Sequence, residues 1–589
     1  MFTLSSLVLC LPVISSAAPQ LGGLLPGSDP QVTLDYGTFK GNRAFSGVSS
    51  FLGMPFAKAG RLENPTLISA ADKLSGVQDA TKYGKACPQQ ELVALNQELG
   101  GLLGAVEQVA FAPVSQQGED CLTINVQVPE GVNGTSGLPV MMWIFGGGFE
   151  LGSSASLGSE ATAVQGLIYQ GARLVQRSVE MGQPIVFVSA NYRVNAFGGL
   201  ASQEITDAGV SNLHLKDQRT AMAWIQKYIQ NFGGDKSRVT LFGESAGSMS
   251  IATHMVLNDG NPDGLFHAAI MASGGIGKFR DYRHKQPTFD FMANCTGCGA
   301  GDKLGCLRTV DYNKFYNCVQ QIPNFFTYSS TSVPWYPRPD GKYLVDSPHR
   351  LLRQGKVADI PYIIGDMKDE GTLFSVEPQL NITDDADFQS FWKQNFFQDL
   401  TPTQIEAFTS LYSEDPSEGS PYDTGSANAI GPQYKRLASS VGDYTFEAGR
   451  RDLLNYTYAL RQGSQKMYTY QQQQSLYLLS QLPGPLIANL TNLPVLGSFH
   501  VSDVVLNSFG LVPPALSKNT LNLMSTYIAF VNSQDPNKHG LEGLPEWPTW
   551  EPEGKAMFKF QESGPVVIRD DYRERQMGFV NENADTYVY

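Results

Sequence analysis

The feature that most constrains this chain is a set of three continuous apolar runs, each ending on a turn. They are Leu138–Phe145 (LPVMMWIF), Pro184–Ala190 (PIVFVSA) and Arg238–Phe242 (RVTLF). A strand that alternates apolar and polar residues leaves one face in water. Runs that are apolar throughout need cover on both faces, which is the situation of a parallel sheet packed between helices. In Gln218–Phe232, between two of the runs, apolar positions recur at helical spacing. This strand–helix–strand alternation predicts an α/β architecture with a large, mostly parallel central sheet.

Gly243-Glu-Ser-Ala-Gly247 follows the third run and opens the helix-like run Ser248–Val256. The pattern G-x-S-x-G is short, and its setting gives it meaning. A turn from strand to helix holds the central serine in a strained conformation and exposes its hydroxyl, while the flanking glycines leave room for the backbone to cross. Ser245 is therefore a candidate nucleophile. Phe145-Gly146-Gly147-Gly148 ends the first run. Alone, a glycine triplet is loop punctuation. After a buried strand and upstream of the serine turn, it fits half of an oxyanion hole, where main-chain N–H groups approach because no Cβ intervenes.

A serine hydroxyl needs a base, and on this architecture the chain order is serine, acid, histidine. Six of the seven histidines follow Ser245. His254 and His267 lie in or near the segment just after the turn, and His284 lies in the charged run Arg280–Lys285. His349 and His539 sit in polar stretches beside Pro or Gly. His500, in Leu496-Gly-Ser-Phe-His-Val-Ser-Asp503, leads on the residues alone without excluding the others. For the acid, Ile363–Gly371 (IIGDMKDEG) delivers Asp366, Asp369 and Glu370 from an apolar run onto a glycine turn.

The net charge of −14 and the lack of a basic stripe argue against nucleic-acid partners and against attraction to anionic membranes. Residues 1–17 read as a signal peptide, a short apolar run with Ser15 and Ala17 placed for cleavage. The run is too short to span a bilayer, and no later stretch reads as a transmembrane segment. No linker, charge block or repeat divides residues 18–589, so one domain is expected. Without Cys10, six cysteines remain: Cys87, Cys121, Cys295, Cys298, Cys306 and Cys318. Zinc is the alternative for the Cys295/Cys298/Cys306 cluster, but ligand spacing is poor and secretion favours disulfides. Sequons at Asn133, Asn294, Asn381, Asn455 and Asn489 agree with a secretory route to the extracellular space.

These residues resemble the type-B carboxylesterase/lipase family, most closely its secreted fungal lipases and steryl esterases, from about Val32 to Trp550. Glu119-Asp-Cys-Leu-Thr-Ile-Asn125-Val and Phe242-Gly-Glu-Ser-Ala-Gly-Ser248 match two long family signatures, and Phe51-Leu-Gly-Met-Pro-Phe56 and Asn191-Tyr-Arg193 also fit. The resemblance implies an α/β-hydrolase fold, hydrolysis of carboxylic esters and no metal or organic cofactor. It places the triad on Ser245, Glu370 and His500 and the oxyanion donors on Gly147, Gly148 and Ala246. It also implies disulfides Cys87–Cys121 and Cys298–Cys306. Cys295 and Cys318 depart from the family pattern, and a third bridge between them is expected. The stretch Leu157–Gln176 departs too, being longer and more apolar than the family pattern, and would reshape the pocket mouth.

In the family the loop closed by Cys87–Cys121 is a lid, here approximately residues 88–120. Leu92, Leu95, Leu99, Leu102, Val106 and Val109 fall at alternating spacings of three and four, on one helical face, with Gly100, Gly101 and Gly104 weakening the helix. That face is either an ordinary core face or the inner face of the lid. As a lid it would meet a lipid–water interface or a second copy in a homodimer. By resemblance, Phe325, Phe326, Leu373 and Phe374 line the acyl site. Three functions are compatible with these residues: a lipase or steryl esterase for long acyl chains, a carboxylesterase for small soluble esters, and a non-catalytic adhesion protein. Members of the last kind lack the nucleophile, whereas Ser245, Glu370 and His500 are all present here.

Overall fold

A computed structural model describes residues 29–92, 116–155, 169–476, 494–510, 512 and 517–589. Ten strands form its central sheet: β1 (Val48–Pro55), β2 (Thr123–Pro129), β3 (Leu138–Ile144), β4 (Val186–Ala190) and β5 (Gly234–Glu244), then β6 (Ala268–Ala272), β7 (Tyr362–Met367), β8 (Met467–Gln472), β9 (Ala556–Phe560) and β10 (Val566–Arg569). Across the sheet the order is β10-β9-β8-β7-β6-β5-β3-β4-β2-β1. Every pairing from β4 to β9 is parallel. Antiparallel pairings are confined to the two ends. This is the expected α/β-hydrolase arrangement.

The three apolar runs are β3, β4 and the buried half of β5. β5 begins earlier than its apolar residues because Asp235–Arg238 lie at an irregularity in its ladder with β3 and face outward. Among the helices that flank the sheet or its connecting loops are α1 (Gly171–Glu180), α2 (Leu213–Tyr228), α3 (Ala246–Val256), α4 (Tyr434–Gly442), α5 (Ala448–Arg461) and α6 (Lys518–Ser533). α2 starts five residues before the periodicity suggests, after Asn212 in a left-handed conformation, and gives way to a tight 3₁₀ turn over Ile229–Phe232. α1 packs on β2 and β4, α3 on β5 and β6, and α6 on β3 and β5. Fully buried Trp143 and Trp224 lie in the resulting core.

The expected bridges Cys87–Cys121 and Cys298–Cys306 are present, and Cys295 pairs with Cys318. Among the described residues, no helix is long and apolar enough to cross a membrane, and no group of three or more His, Cys, Asp or Glu could hold a metal ion. Asn133, Asn294, Asn381 and Asn455 are at least partly exposed. The leader (1–17), the lid interior (93–115), residues 157–168 of Leu157–Gln176 and Asn489 lie outside the described residues. Of the apolar face read from the sequence, Leu92 is described, and it is buried.

Candidate active site

Parallel strands bring their C-terminal ends to one edge of the sheet, where the connecting loops can gather functional side chains. β5 ends at Glu244 and α3 begins at Ala246, so Ser245 alone makes the turn, with φ 56° and ψ −124°. A side chain there is held under conformational strain. The flanking glycines are a steric requirement: a Cβ on Gly247 would lie 2.0 Å from the carbonyl oxygen of Ile144, and one on Gly243 would lie 2.7 Å from the carbonyl carbon of Gly247.

His500 reaches this turn from a loop near the C-terminal end of β8. Its Nε2 lies 2.7 Å from Ser245 Oγ and its Nδ1 lies 2.6 Å from Glu370 Oε2. The Met367 N–H donates to Glu370 Oε1 at 2.6 Å, fixing the carboxyl from its own strand. The rings of Phe446 and Phe374 stand 4.4 and 5.1 Å from the imidazole, centroid to centroid. Burial among these groups pushes the imidazole down to about 3, keeping it neutral at neutral pH, and pushes the Glu370 carboxyl upward. A neutral imidazole with its Nδ1–H donated to a carboxyl presents a basic Nε2 to the hydroxyl.

Partners separate the three carboxylates after β7. Asp366 forms a fully buried ion pair with Arg450 at 2.6 Å. Asp369 accepts from Ser498 N–H at 3.0 Å, Tyr422 N–H at 2.8 Å and the Ser420 hydroxyl at 2.9 Å, which ties it to the loop carrying His500. Of the three, Glu370 alone reaches the imidazole. The other histidines have different partners: His254 meets Gln218, His349 meets Ser347 and Asp585, and His284 lies beside Arg280.

Gly147, Gly148, Ser245, Ala246 and His500 line one cavity together with Met249, Phe325, Thr331, Val333, Tyr336, Phe374 and Phe446. Gly147 and Gly148 have φ of 109° and 64°, so the loop depends on glycine. Of the four side chains expected in the acyl site, Phe325 and Phe374 are in this lining. Phe326 and Leu373 are buried outside it, Phe326 against the Phe325 ring at 4.9 Å. Met249 was legible in principle, since it follows Ser245 by one helical turn. Phe446 was not, because it sits in a π-helical turn, Asp443–Glu447, inserted between α4 and α5. Glu244, whose Oε1 is 3.3 Å from His500 Nε2, occupies a variable position of the serine motif and so carries no signal of its own.

The sequence profile of the carboxylesterase family matches residues 28–580. Lipase 2 of Diutina rugosa is 37% identical over 538 residues, covering 89% of this chain and 90% of that protein. Secreted triacylglycerol lipase LIP1 of Gibberella zeae is 36% identical over 556 residues, covering 92% of this chain and 88% of that one. Among solved structures, Aspergillus niger EstA superposes with a TM-score of 0.76 at 26% identity, covering 95% of this chain and 99% of that one.

Proposed function

The chain belongs to the carboxylesterase family and is a carboxylic-ester hydrolase; from that premise we propose that it cleaves long-chain acylglycerols, steryl esters or both through a Ser245–His500–Glu370 triad. The observation that carries this reading is the unbroken hydrogen-bonded chain from Ser245 Oγ through His500 to Glu370, opening into an aromatic and aliphatic cavity.

Ser245 Oγ attacks the ester carbonyl while His500 Nε2 takes its proton, and Glu370 stabilises the imidazolium that forms. Charge on the former carbonyl oxygen is met by the N–H groups of Gly147, Gly148 and Ala246. The last is in the first turn of α3, where helical N–H groups have no intrahelical acceptor. Collapse expels the alcohol, protonated by His500, and leaves the acyl group on Ser245. Water then repeats the sequence and releases the acid. An acyl chain along Phe325, Val333, Phe374 and Phe446 gains ~0.8 kcal/mol per buried CH₂, which favours long chains. The lipase names of the relatives from Diutina rugosa and Gibberella zeae support the same substrate class.

The loop closed by Cys87–Cys121 acts in this reading as the lid. Leu99→Ser with Leu102→Ser is expected to slow hydrolysis of emulsified oleate esters more than of dissolved butyrate esters. Secretion is supported by the bridges and exposed sequons, and protein recovered from the medium should begin at residue 18. Initial rates on p-nitrophenyl butyrate, p-nitrophenyl palmitate, emulsified triolein and cholesteryl oleate test the substrate class. Turnover of the long-chain esters that disappears in Ser245→Ala is the expected result. Turnover of butyrate alone would favour the small-ester alternative.

A further inference from the structure

Glu150 is fully buried, carries no ion pair among the described residues, and has no part in the hydrogen-bonded chain from Ser245 to Glu370. It lies just beyond the glycine loop. Its N–H donates to the Gly147 carbonyl at 3.0 Å, and its own carbonyl accepts from Gln90 N–H and Asn195 Nδ2 at 3.1 Å. Its side chain crosses to another segment: Oε2 accepts the Phe325 N–H at 3.0 Å. Oε1 has no hydrogen-bond partner among the described residues. Burial without a cation beside it pushes this carboxyl well above the usual range. A plain core position would be filled at lower cost by an apolar side chain.

The geometry explains what a carboxyl does there. A Cβ built on Gly148 would lie 2.8 Å from the Phe325 ring and 3.9 Å from Glu150 Oε2. Gly148 and Phe325 both line the cavity beside Ser245. The acyl wall thus rests against the glycine assigned to the oxyanion hole, and one buried carboxyl holds the two segments in register. We propose that Glu150 is a positioning residue that couples the acyl-pocket wall at Phe325 to the oxyanion loop at Gly147–Gly148.

This rests on the proposed roles of Ser245, Gly147 and Gly148, so the test counts only enzyme that forms the Ser245 acyl-enzyme. Rates are measured on p-nitrophenyl butyrate per active site, titrated by the p-nitrophenol burst. Glu150→Gln keeps both reach and acceptor and should hold kcat within about three-fold of the parent, on the scale of one hydrogen bond. Glu150→Asp keeps the carboxyl but withdraws it by one methylene. It should lower kcat by about ten-fold or more with KM nearly unchanged, the signature of misplaced transition-state donors. Phe325→Leu should lower kcat on its own, and Glu150→Asp/Phe325→Leu should then lose clearly less than the product of the two single losses.

Parental kcat in Glu150→Asp, an equal loss in Glu150→Gln, or fully multiplying losses in the double variant would each overturn the coupling. So would the absence of titratable sites in both Glu150 variants, which would make this a folding residue. If the parent itself shows no burst, or the burst survives Ser245→Ala, the triad assignment fails instead.

Discussion

Two turns supply the partners of His500, and they are built on opposite principles. The turn after β5 is specified by its backbone: Ser245 is held at positive φ, and a Cβ on its neighbour Gly247 would come within 2.0 Å of the Ile144 carbonyl oxygen. The turn after β7 is specified by partners. Asp366, Asp369 and Glu370 are similar side chains within five residues, and Arg450, Ser420, Tyr422 and Ser498 claim the first two. The first turn can be read from five consecutive residues. The second is completed by residues from elsewhere in the chain.

The comparison breaks most sharply at the serine. Ser245→Ala should lower kcat on any accepted ester by about 10⁴–10⁶-fold while the fold persists, because the triad acts as a unit through its nucleophile. The melting curve beside the rate separates this from unfolding. Near-parental turnover in pure mutant protein would remove Ser245 from the chemistry.

At the second turn, Glu370→Gln should lower kcat by about 10²–10⁴-fold, since a neutral amide stabilises the imidazolium poorly. Asp369→Asn should cost far less. A larger loss in Asp369→Asn would mean that the carboxylate is chosen by something other than its distance to His500.

Asp366→Asn sharpens the contrast between chemistry and scaffold. It should lower stability by about 3 kcal/mol, the lower end for a broken buried pair, because Arg450 retains Asp570 at 2.6 Å. Rate per titrated site should change little. Denaturant unfolding together with burst titration checks both halves.

The smallest expected effect is on pH dependence. His500 must be neutral to accept the Ser245 proton, so activity is lost as pH falls through its pKa. Burial holds that value far below 6.5, at about 3. The acid limb of kcat/KM should therefore have its midpoint below 6.5. A midpoint at or above 6.5 would mean that the Glu370 charge outweighs burial at the imidazole.

The same contrast explains what the sequence disclosed. β3, β4 and the buried part of β5 were readable because continuous apolar runs have few alternatives to a doubly covered sheet, and the glycines marked the serine turn. Choosing Glu370 and His500 required the family resemblance, since local residues left several carboxylates and histidines open. The outward-facing start of β5 lacked an apolar signal. Phe446 was invisible because a π-helical turn within its own helical segment sets its place, and Glu150 because its carboxyl is held by a segment distant in the chain.

The most direct test of the central claim is the site of covalent labelling by a p-nitrophenyl phosphonate, whose phosphorus is attacked as an ester carbonyl would be. Loss of p-nitrophenol leaves the phosphonyl group on the nucleophile. The account predicts one adduct per chain, mapped by peptide mass spectrometry to Ser245, with ester hydrolysis falling in proportion to labelling. An adduct on another residue that tracks the loss of activity, or full activity in protein labelled at Ser245, would contradict it.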